Sequence, residues 1–443
     1  MKKIIYAVLF ILFLIAAYFI TASIFPKSAG RLPFFAILFA LDFYLWISIK
    51  KKIFKLNSIL KHVLICLYWA PFVLVVFLVL FIAFYSLTEL NLSFQTYLFG
   101  IIFIVYVSKL IPVIFLLFSD IIRLFRIIFR FFFRPKEKRY LLKGKKISRS
   151  KFLQYVGFIG GGIAFSGLLM GMLKWVYDFN IIKKVIKLPD LPPAFNNFRI
   201  VQFSDLHLGS WTSKKRLKEA IEMINDLNPD VVFFTGDLVN YTTQEAFGFK
   251  QILKEIKAPY GIYTVLGNHD YGDYMNWKSV EAKKENMEQL YNFYKDMNWK
   301  LLRNENCILE LNGDKIGIIG VENWGAYLRF QKHGNIKQAI KGVENIPFKL
   351  LLSHDPSYWE KEISKSYKDI DITFSGHTHG FQFGIEIPGI KWSPAQYLYK
   401  QWAGLYSKNN NSQYLYVNRG LGSIGYHGRI GILPEITLFV LEK

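Results

Sequence analysis

Cysteine is nearly absent: the 443 residues carry two, Cys66 inside an apolar run and Cys307 far along the chain. One per region rules out an internal disulfide framework and argues against a thiolate metal site. Acidic residues are scarce at the start. Residues 1–175 hold 4 Asp and Glu against 23 Lys and Arg, whereas residues 176–443 hold 29 against 32. The chain's basic excess of 22 therefore sits almost wholly in its apolar part. A nucleic-acid enzyme would carry that excess on its soluble domain, so the expected contact is an anionic membrane surface and not nucleic acid.

Long apolar runs are plentiful. A spanning helix needs about 20 mostly apolar residues. Five stretches meet or approach that length: 4–25, 32–49, 63–86, 97–118 and 152–173. The first has too long an apolar core, and too poor a cleavage site, for a removable signal peptide, and it reads as a span. The second carries Asp42, a carboxylate expected to face the bundle and bond a Tyr or Lys109.

Lys50, Lys51, Lys52, Lys55 and Lys61 follow the second span, only Glu89 follows the third, and a basic run from Arg123 to Lys151 follows the fourth. Basic loops stay in the cytoplasm. This pattern predicts a multi-pass protein of a bacterial plasma membrane with its C-terminal domain on the outer face; the alternative is a cytoplasmic domain. Asp120–Phe133 alternates Arg with Ile and Phe, as an amphipathic helix along the inner surface or an extension of the fourth span. Ser148–Leu153 and the Gly-rich span after it are similar to a twin-arginine export signal, with Ser150 in place of the second arginine.

Beyond a Pro-rich connector, Leu188–Pro193, apolar strands alternate with amphipathic helices. Five predicted strands end in polar clusters: 198–203 before Asp205 and His207, 231–235 before Asp237, 262–266 before Asn268, His269 and Asp270, 348–352 before His354, and 372–375 before His377 and His379. Ligands bind beyond the carboxyl ends of strands in open α/β sheets. Five of the eight histidines fall in these clusters. Oxygen and imidazole donors together suit divalent Mn, Fe, Zn, Co or Ni. Asp205 and His207 are two apart, as are His377 and His379, so an extended backbone would point each pair one way. His62 and His333 are read as ordinary surface or loop residues. His427 lies in a Gly-rich turn that could approach the site.

These blocks resemble the calcineurin-like metallophosphoesterase superfamily, in its bacterial membrane-anchored branch. That branch includes enzymes similar to UDP-2,3-diacylglucosamine pyrophosphatase and phosphodiesterases bearing export signals. The motifs are Asp205-Leu206-His207, Gly236-Asp237 with Asn240, Gly267-Asn268-His269-Asp270, a lone His354, and Gly376-His377-Thr378-His379. The resemblance implies a two-sheet β sandwich flanked by helices, and two divalent metal ions. One would be held by Asp205, His207, Asp237 and His379, the other by Asp237, Asn268, His354 and His377. It further implies catalytic work by His269, oriented by Asp270, on water activated by the metals.

The expected organisation is an α-helical membrane domain of about five spans plus an α/β metallophosphoesterase domain. Transmembrane helices occupy 1–119, a basic amphipathic cytoplasmic segment 120–151, a fifth span 152–175, a linker 176–197 and the metallophosphoesterase domain 198–443. Helix 275–297 is read as packing on the sandwich, or else as a cap over an acyl chain. The aromatic insert 392–406 is expected to touch lipid or to pack. The expected function is hydrolysis of a phosphodiester or pyrophosphate in a membrane lipid or lipid-linked phosphate substrate. The alternatives are UDP-2,3-diacylglucosamine pyrophosphatase activity in lipid A synthesis, or a non-catalytic membrane sensor.

Overall fold

A computed structural model describes residues 19, 32–84, 92–133, 149–327, 330, 332–410 and 412–443. The chain divides into two compact units, Met1–Leu169 and Met170–Lys443.

The first unit holds α1 (Leu32–Ile53), α2 (Ser58–Phe84), α3 (Leu92–Phe133) and most of α4 (Arg149–Leu173). Among the described residues three helical segments are long and apolar enough to span a membrane: Ser58–Phe81, Ser93–Phe133 and Lys151–Tyr177. This is fewer than the five spans expected. The stretch 4–25 lies almost entirely outside the described residues, and α1 carries Asp42 at its middle and Lys50, Lys51 and Lys52 in its last turn. The Asp120–Phe133 stretch continues α3 without a break. Asp42 is fully buried and ion-paired with Lys109. The Tyr106 hydroxyl donates to its carboxylate (2.7 Å), and the Tyr68 hydroxyl to its backbone carbonyl (2.6 Å). A carboxylate at this depth is tolerable because each oxygen has a donor.

The second unit is a sandwich of two mixed six-stranded sheets. One runs β1 (Asn180–Lys187), β14 (Glu435–Glu442), β2 (Arg199–Phe203), β3 (Val231–Phe234), β4 (Ile262–Thr264), β5 (Trp299–Leu301). The other runs β12 (Gly404–Lys408), β13 (Gln413–Val417), β9 (Ile372–Ser375), β8 (Lys349–Leu352), β7 (Asp314–Gly320), β6 (Glu305–Leu311). A two-stranded ribbon, β10 (Ile385–Ile387) and β11 (Ile390–Trp392), stands apart from both.

Period-two alternation decides what each strand buries. In β2 and β3, Ile200, Val231 and Phe233 face the inter-sheet core with Ile318, Leu350, Phe374 and Phe439. Their neighbours Val201, Phe203, Val232 and Phe234 face outward, under Leu217, Ile221 and Ile224 of α5 (Lys214–Asp226) and Leu290 and Phe293 of α6 (Val280–Asp296). Helix α6, within the predicted 275–297, thus packs on the sheet. Gln202 is a polar member of the inter-sheet layer, and it donates to Thr235 Oγ1 (3.1 Å) and to Ser375 O (2.9 Å) across the sandwich. Strands β2, β3 and β4 run parallel, as do β8 and β9, so their carboxyl ends share one edge in each sheet.

Candidate metal centre

The loops leaving those five strand ends converge. Donor atoms of Asp205, His207 and His379 lie within 4.8 Å of one another, and so do those of Asp237, His354 and His377. His379 Nε2 is 3.2 Å from Asp205 Oδ1, and His354 Nε2 is 3.2 Å from Asp237 Oδ2. His207 Nε2 stands 3.6 Å from that same Asp237 oxygen, so Asp237 faces both groups.

The backbone does not deliver these side chains in the extended form expected from two-residue spacing. Asp205, His207, Asp237, His377 and His379 all have φ between 46° and 73°. The left-handed region is unfavourable for non-glycine residues. Each loop folds back at once instead of continuing the strand, and its neighbours hold it there. Asp205 N–H donates to Gly236 O (2.9 Å), His207 N–H to Asp237 O (3.1 Å), and Gly376 N–H to His354 O (2.9 Å). Gly376 serves by having no side chain, since a Cβ there would overlap Ser204 Oγ and Asp205 Oδ2.

Second partners fix the rings. His354 Nδ1–H donates to Thr235 O (2.7 Å), which turns Nε2 toward the cluster. His377 Nε2 meets the Tyr399 hydroxyl (2.7 Å), leaving Nδ1 toward the cluster. Burial opposes every charge in this site. It pushes the His207 imidazole down to about 3, against the pull of Asp237. At His354 the Asp237 charge overrides burial and raises the imidazole to about 10. At Asp205 and Asp237 burial is overridden as well. His379 chiefly, for Asp205, and His354 chiefly, for Asp237, hold the carboxyls well below the usual range.

The arrangement fits two divalent cations. His207 Nε2 faces His379 Nε2 at 3.0 Å, and His377 Nδ1 faces His354 Nε2 at 3.2 Å. Two imidazole nitrogens with lone pairs opposed are satisfied by a shared cation, and the adjacent carboxylates balance its charge. Asn268 Oδ1 is buried with no hydrogen-bond partner, while its Nδ2–H donates to Tyr274 Oη (2.8 Å). That orphaned acceptor suits a further oxygen ligand.

His269 sits beside the clusters, its ring edge-on to His207 at 4.9 Å. The expectation that Asp270 orients it is corrected by the structure. Both Asp270 oxygens are already occupied by backbone N–H groups, of Gly267 and Asp237 (both 2.9 Å) on one and of Leu238 (2.8 Å) and Val239 (3.4 Å) on the other. The orienting contact is instead the Asn240 carbonyl, 2.8 Å from His269 Nδ1. Asp270 ties the β3 and β4 loops together. Its carboxyl is raised to about 7 by burial and then by Asp237, against the donated N–H groups.

His427 does not reach the clusters. It is buried against Ser423 Oγ (3.0 Å) and Tyr177 Oη (3.4 Å), and burial lowers it to about 4. His333 stacks on Tyr271, and His62 lies on α2. In the 392–406 insert, Tyr399 and Trp402 are buried with Ala395, Ala403 and Ile432. These two aromatics pack and do not face lipid. A cavity of about 430 Å³ opens on the clusters, and its walls include His269, Tyr274, Phe330, Phe381, Tyr399 and Ile424.

Comparison with known proteins agrees with this geometry. Residues 198–381 match the family model of calcineurin-like phosphoesterases. Residues 24–175 match a four-span model described as the transmembrane domain of a probable calcineurin-like phosphoesterase. An uncharacterized metallophosphoesterase of Bacillus subtilis, YkuE, is 29% identical over 308 residues, 68% of this chain and 99% of that protein. A zebrafish (Danio rerio) transmembrane protein with a metallophosphoesterase domain is 30% identical over 278 residues, 62% of this chain and 60% of its own. The UDP-2,3-diacylglucosamine pyrophosphatase LpxG of Chlamydia trachomatis is 28% identical over 300 residues, 57% of this chain and 88% of its own.

Proposed function

We propose that this chain is a membrane-associated calcineurin-like phosphoesterase, a metal-dependent hydrolase, that cleaves a phosphodiester or pyrophosphate bond in a lipid-linked substrate. One observation carries the substrate class: the cavity that exposes the metal-binding atoms is also walled by Phe330, Phe381 and Ile424. A phosphoryl group would sit on the polar floor with an apolar neighbour against the wall.

In this reading Asp205, His207, Asp237 and His379 hold one ion, and Asp237, Asn268, His354 and His377 the other. The two ions, when bound, supply Lewis-acid charge to the phosphoryl oxygens and an activated water. The chain's own residues do the rest. The Asn240 carbonyl keeps a proton on His269 Nδ1, which turns Nε2 toward the cavity. With Nε2 protonated as well, His269 donates to the leaving oxygen as it departs. Tyr399 and Thr235 hold the rings of His377 and His354 in the orientation that ligation needs.

The loop charges support a catalytic unit outside the cytoplasm. The segments between α1 and α2 and between α3 and α4 are basic, and that between α2 and α3 holds only Glu89 as a charged residue. With basic loops inside, α4 ends outside whether or not stretch 4–25 spans. The activity for which the Chlamydia relative is named favours a second reading, UDP-2,3-diacylglucosamine hydrolysis. Purified full chain in detergent, stripped of metal and reloaded with Mn²⁺, tests the proposal against a soluble chromogenic diester, a phosphodiester lipid and that nucleotide lipid. Metal-dependent turnover of a lipid substrate is expected. Activity on the soluble diester with none on any lipid would refute the lipid assignment.

A further inference from the structure

The β10–β11 ribbon is built the wrong way round for a protein in water. Its register pairs Ile385 with Trp392, Glu386 with Lys391, and Ile387 with Ile390. Residues two apart share a face, so the ribbon has one charged face and one apolar face. A ribbon in water would bury the second and expose the first. Here Glu386 and Lys391, although still open to solvent, are tied to the protein. Arg419 grips the Glu386 carboxylate with two nitrogens, Nε at 3.0 Å, and Lys391 Nζ donates to Ala403 O while lying over the Trp402 ring at 4.9 Å. The apolar face is left outside: Ile385 is 47% exposed, Ile387 56% and Ile390 53%, and Phe381 and Phe383 beside the ribbon are 44% and 46% exposed.

What covers this face follows from where the ribbon is attached. Gly384 N–H donates to Ile430 O (2.9 Å), and Ile430 N–H to Gln382 O (2.8 Å). Buried Gln382 donates through Nε2 to Tyr426 O (2.8 Å) and Gly428 O (3.0 Å), and accepts from Ile424 N–H (2.6 Å). The same 426–430 loop receives the last turn of the apolar helix α4. Arg429 N–H donates to Gly171 O (3.3 Å), and a Cβ at Gly171 would overlap the Arg429 carbonyl. One short loop therefore holds both the emerging end of a membrane-spanning segment and the root of the ribbon. His379 is three residues from Gln382, and Phe381, Gln382 and Ile424 line the mouth of the cavity.

We propose that the apolar face of the β10–β11 ribbon docks into the interface of the same bilayer that the helices span, and sets the cavity mouth against the lipid headgroups. Interfacial insertion of this kind needs an apolar face above a polar, anchored one. Trp392, edge-on to Phe383 at 6.1 Å, supplies the amphipathic aromatic that favours that depth. The docking deepens the lipid-substrate reading above and rests on it only for its catalytic consequence: a lipid phosphoester would reach the metals without leaving the membrane.

The test has a physical arm and a catalytic arm, both on full chain in phosphatidylcholine–phosphatidylglycerol vesicles. In a Cys66→Ser, Cys307→Ala background, Ile387→Cys carries an environment-sensitive fluorophore. Lys315→Cys, at the start of β7 and so at the sandwich end away from the ligand loops, is the control. Shallow doxyl-lipid quenchers should quench the label at 387 about threefold more than at 315. Equal quenching overturns the proposal, as does disulfide cross-linking of two copies of the unlabelled Ile387→Cys chain in the same vesicles. In the catalytic arm, Ile385→Ser with Ile387→Ser and Ile390→Ser should lower turnover of vesicle lipid about tenfold, with the soluble diester held within about twofold. Unchanged lipid turnover overturns the docking role. If the parent chain hydrolyses no lipid at all, the substrate reading falls while the quenching result still decides whether the ribbon docks.

Discussion

Replacing Asp270 with Asn separates a scaffolding carboxylate from a catalytic one. The side chain is fully buried, and its two oxygens accept four backbone N–H groups from Gly267, Asp237, Leu238 and Val239. An amide keeps one acceptor and places an NH₂ group where the other oxygen stood. Two backbone donors then face a donor. A buried donor left unpaired costs about 1–3 kcal/mol, so the change costs about 2–6 kcal/mol. Taking about 4 kcal/mol, and about 2–4 °C per kcal/mol for a domain of this size, the metal-free protein should melt about 8–16 °C lower. The assay is a thermal melt of full chain in detergent with chelator present, so that lost metal binding does not enter. His269→Asn is the contrast. Its ring makes one hydrogen bond, to Asn240 O, so it should melt within about 1 kcal/mol of the parent while kcat falls about 10²–10⁴-fold. If Asp270→Asn melts like the parent and loses only kcat, Asp270 orients the imidazole after all and the scaffolding assignment is wrong.

Tyr399→Phe removes the hydroxyl 2.7 Å from His377 Nε2, and the Mn²⁺ concentration for half-maximal activity should rise about tenfold, with activity nearly restored at saturating metal. His427 contributes a pH dependence. Its imidazole falls from an unfolded value near 6.5 to about 4 in the fold, so the unfolded state takes up the proton first. Its stabilising contribution is complete above about pH 6.5 and is lost as pH falls toward 4, by up to about 3 kcal/mol, and denaturant titrations of His427→Gln should show a correspondingly flatter acid limb. In the membrane unit, Asp42→Asn strands the Lys109 ammonium and should destabilise by about 3–5 kcal/mol; Asp42→Leu with Lys109→Leu should recover most of that loss in thermal melts. A double variant that folds but loses hydrolysis would instead give the pair a working role.

The chemistry was legible where it is encoded by residue type and position. Aspartate, asparagine and histidine at the ends of predicted strands marked every side chain that meets in the two clusters, because few other tasks place so many donors just past a strand. Contacts made by backbone atoms left no trace. Nothing in a sequence says that the carbonyl of Asn240, rather than the carboxylate of Asp270, receives the His269 proton, since any residue offers a carbonyl. Tyr399 escaped for a different reason. It follows His377 by 22 residues, and only the return through the short helical turn Pro394–Tyr397 brings its hydroxyl to the ring. The aromatic insert drew attention as a lipid contact, yet Tyr399 and Trp402 are buried, and exposure is shared between Tyr397 and the isoleucines before the insert. Alternation was present in Ile385-Glu386-Ile387, but which face looks outward depends on Arg419, 33 residues away in sequence.

The left-handed backbone at the ligands ties these observations together. Five residues that carry metal-binding atoms hold φ between 46° and 73°, at a cost of about 1–3 kcal/mol each, or about 5–15 kcal/mol if the costs add. That equals the whole net stability of an ordinary domain, so neighbouring structure must offset it. The compensation is visible as the carboxylate of Asp270 on two loops, the Gln202 bridge between sheets, and glycines that let Asp205 and Asp237 approach facing backbone. None of these groups would touch an ion. Contacts within the protein thus brace the ligand loops in their ligating form. Metal affinity then follows from preorganisation. Loosening a supporting contact should weaken binding of both ions together, because Asp237, which faces both clusters, sits at the centre of the supported loops.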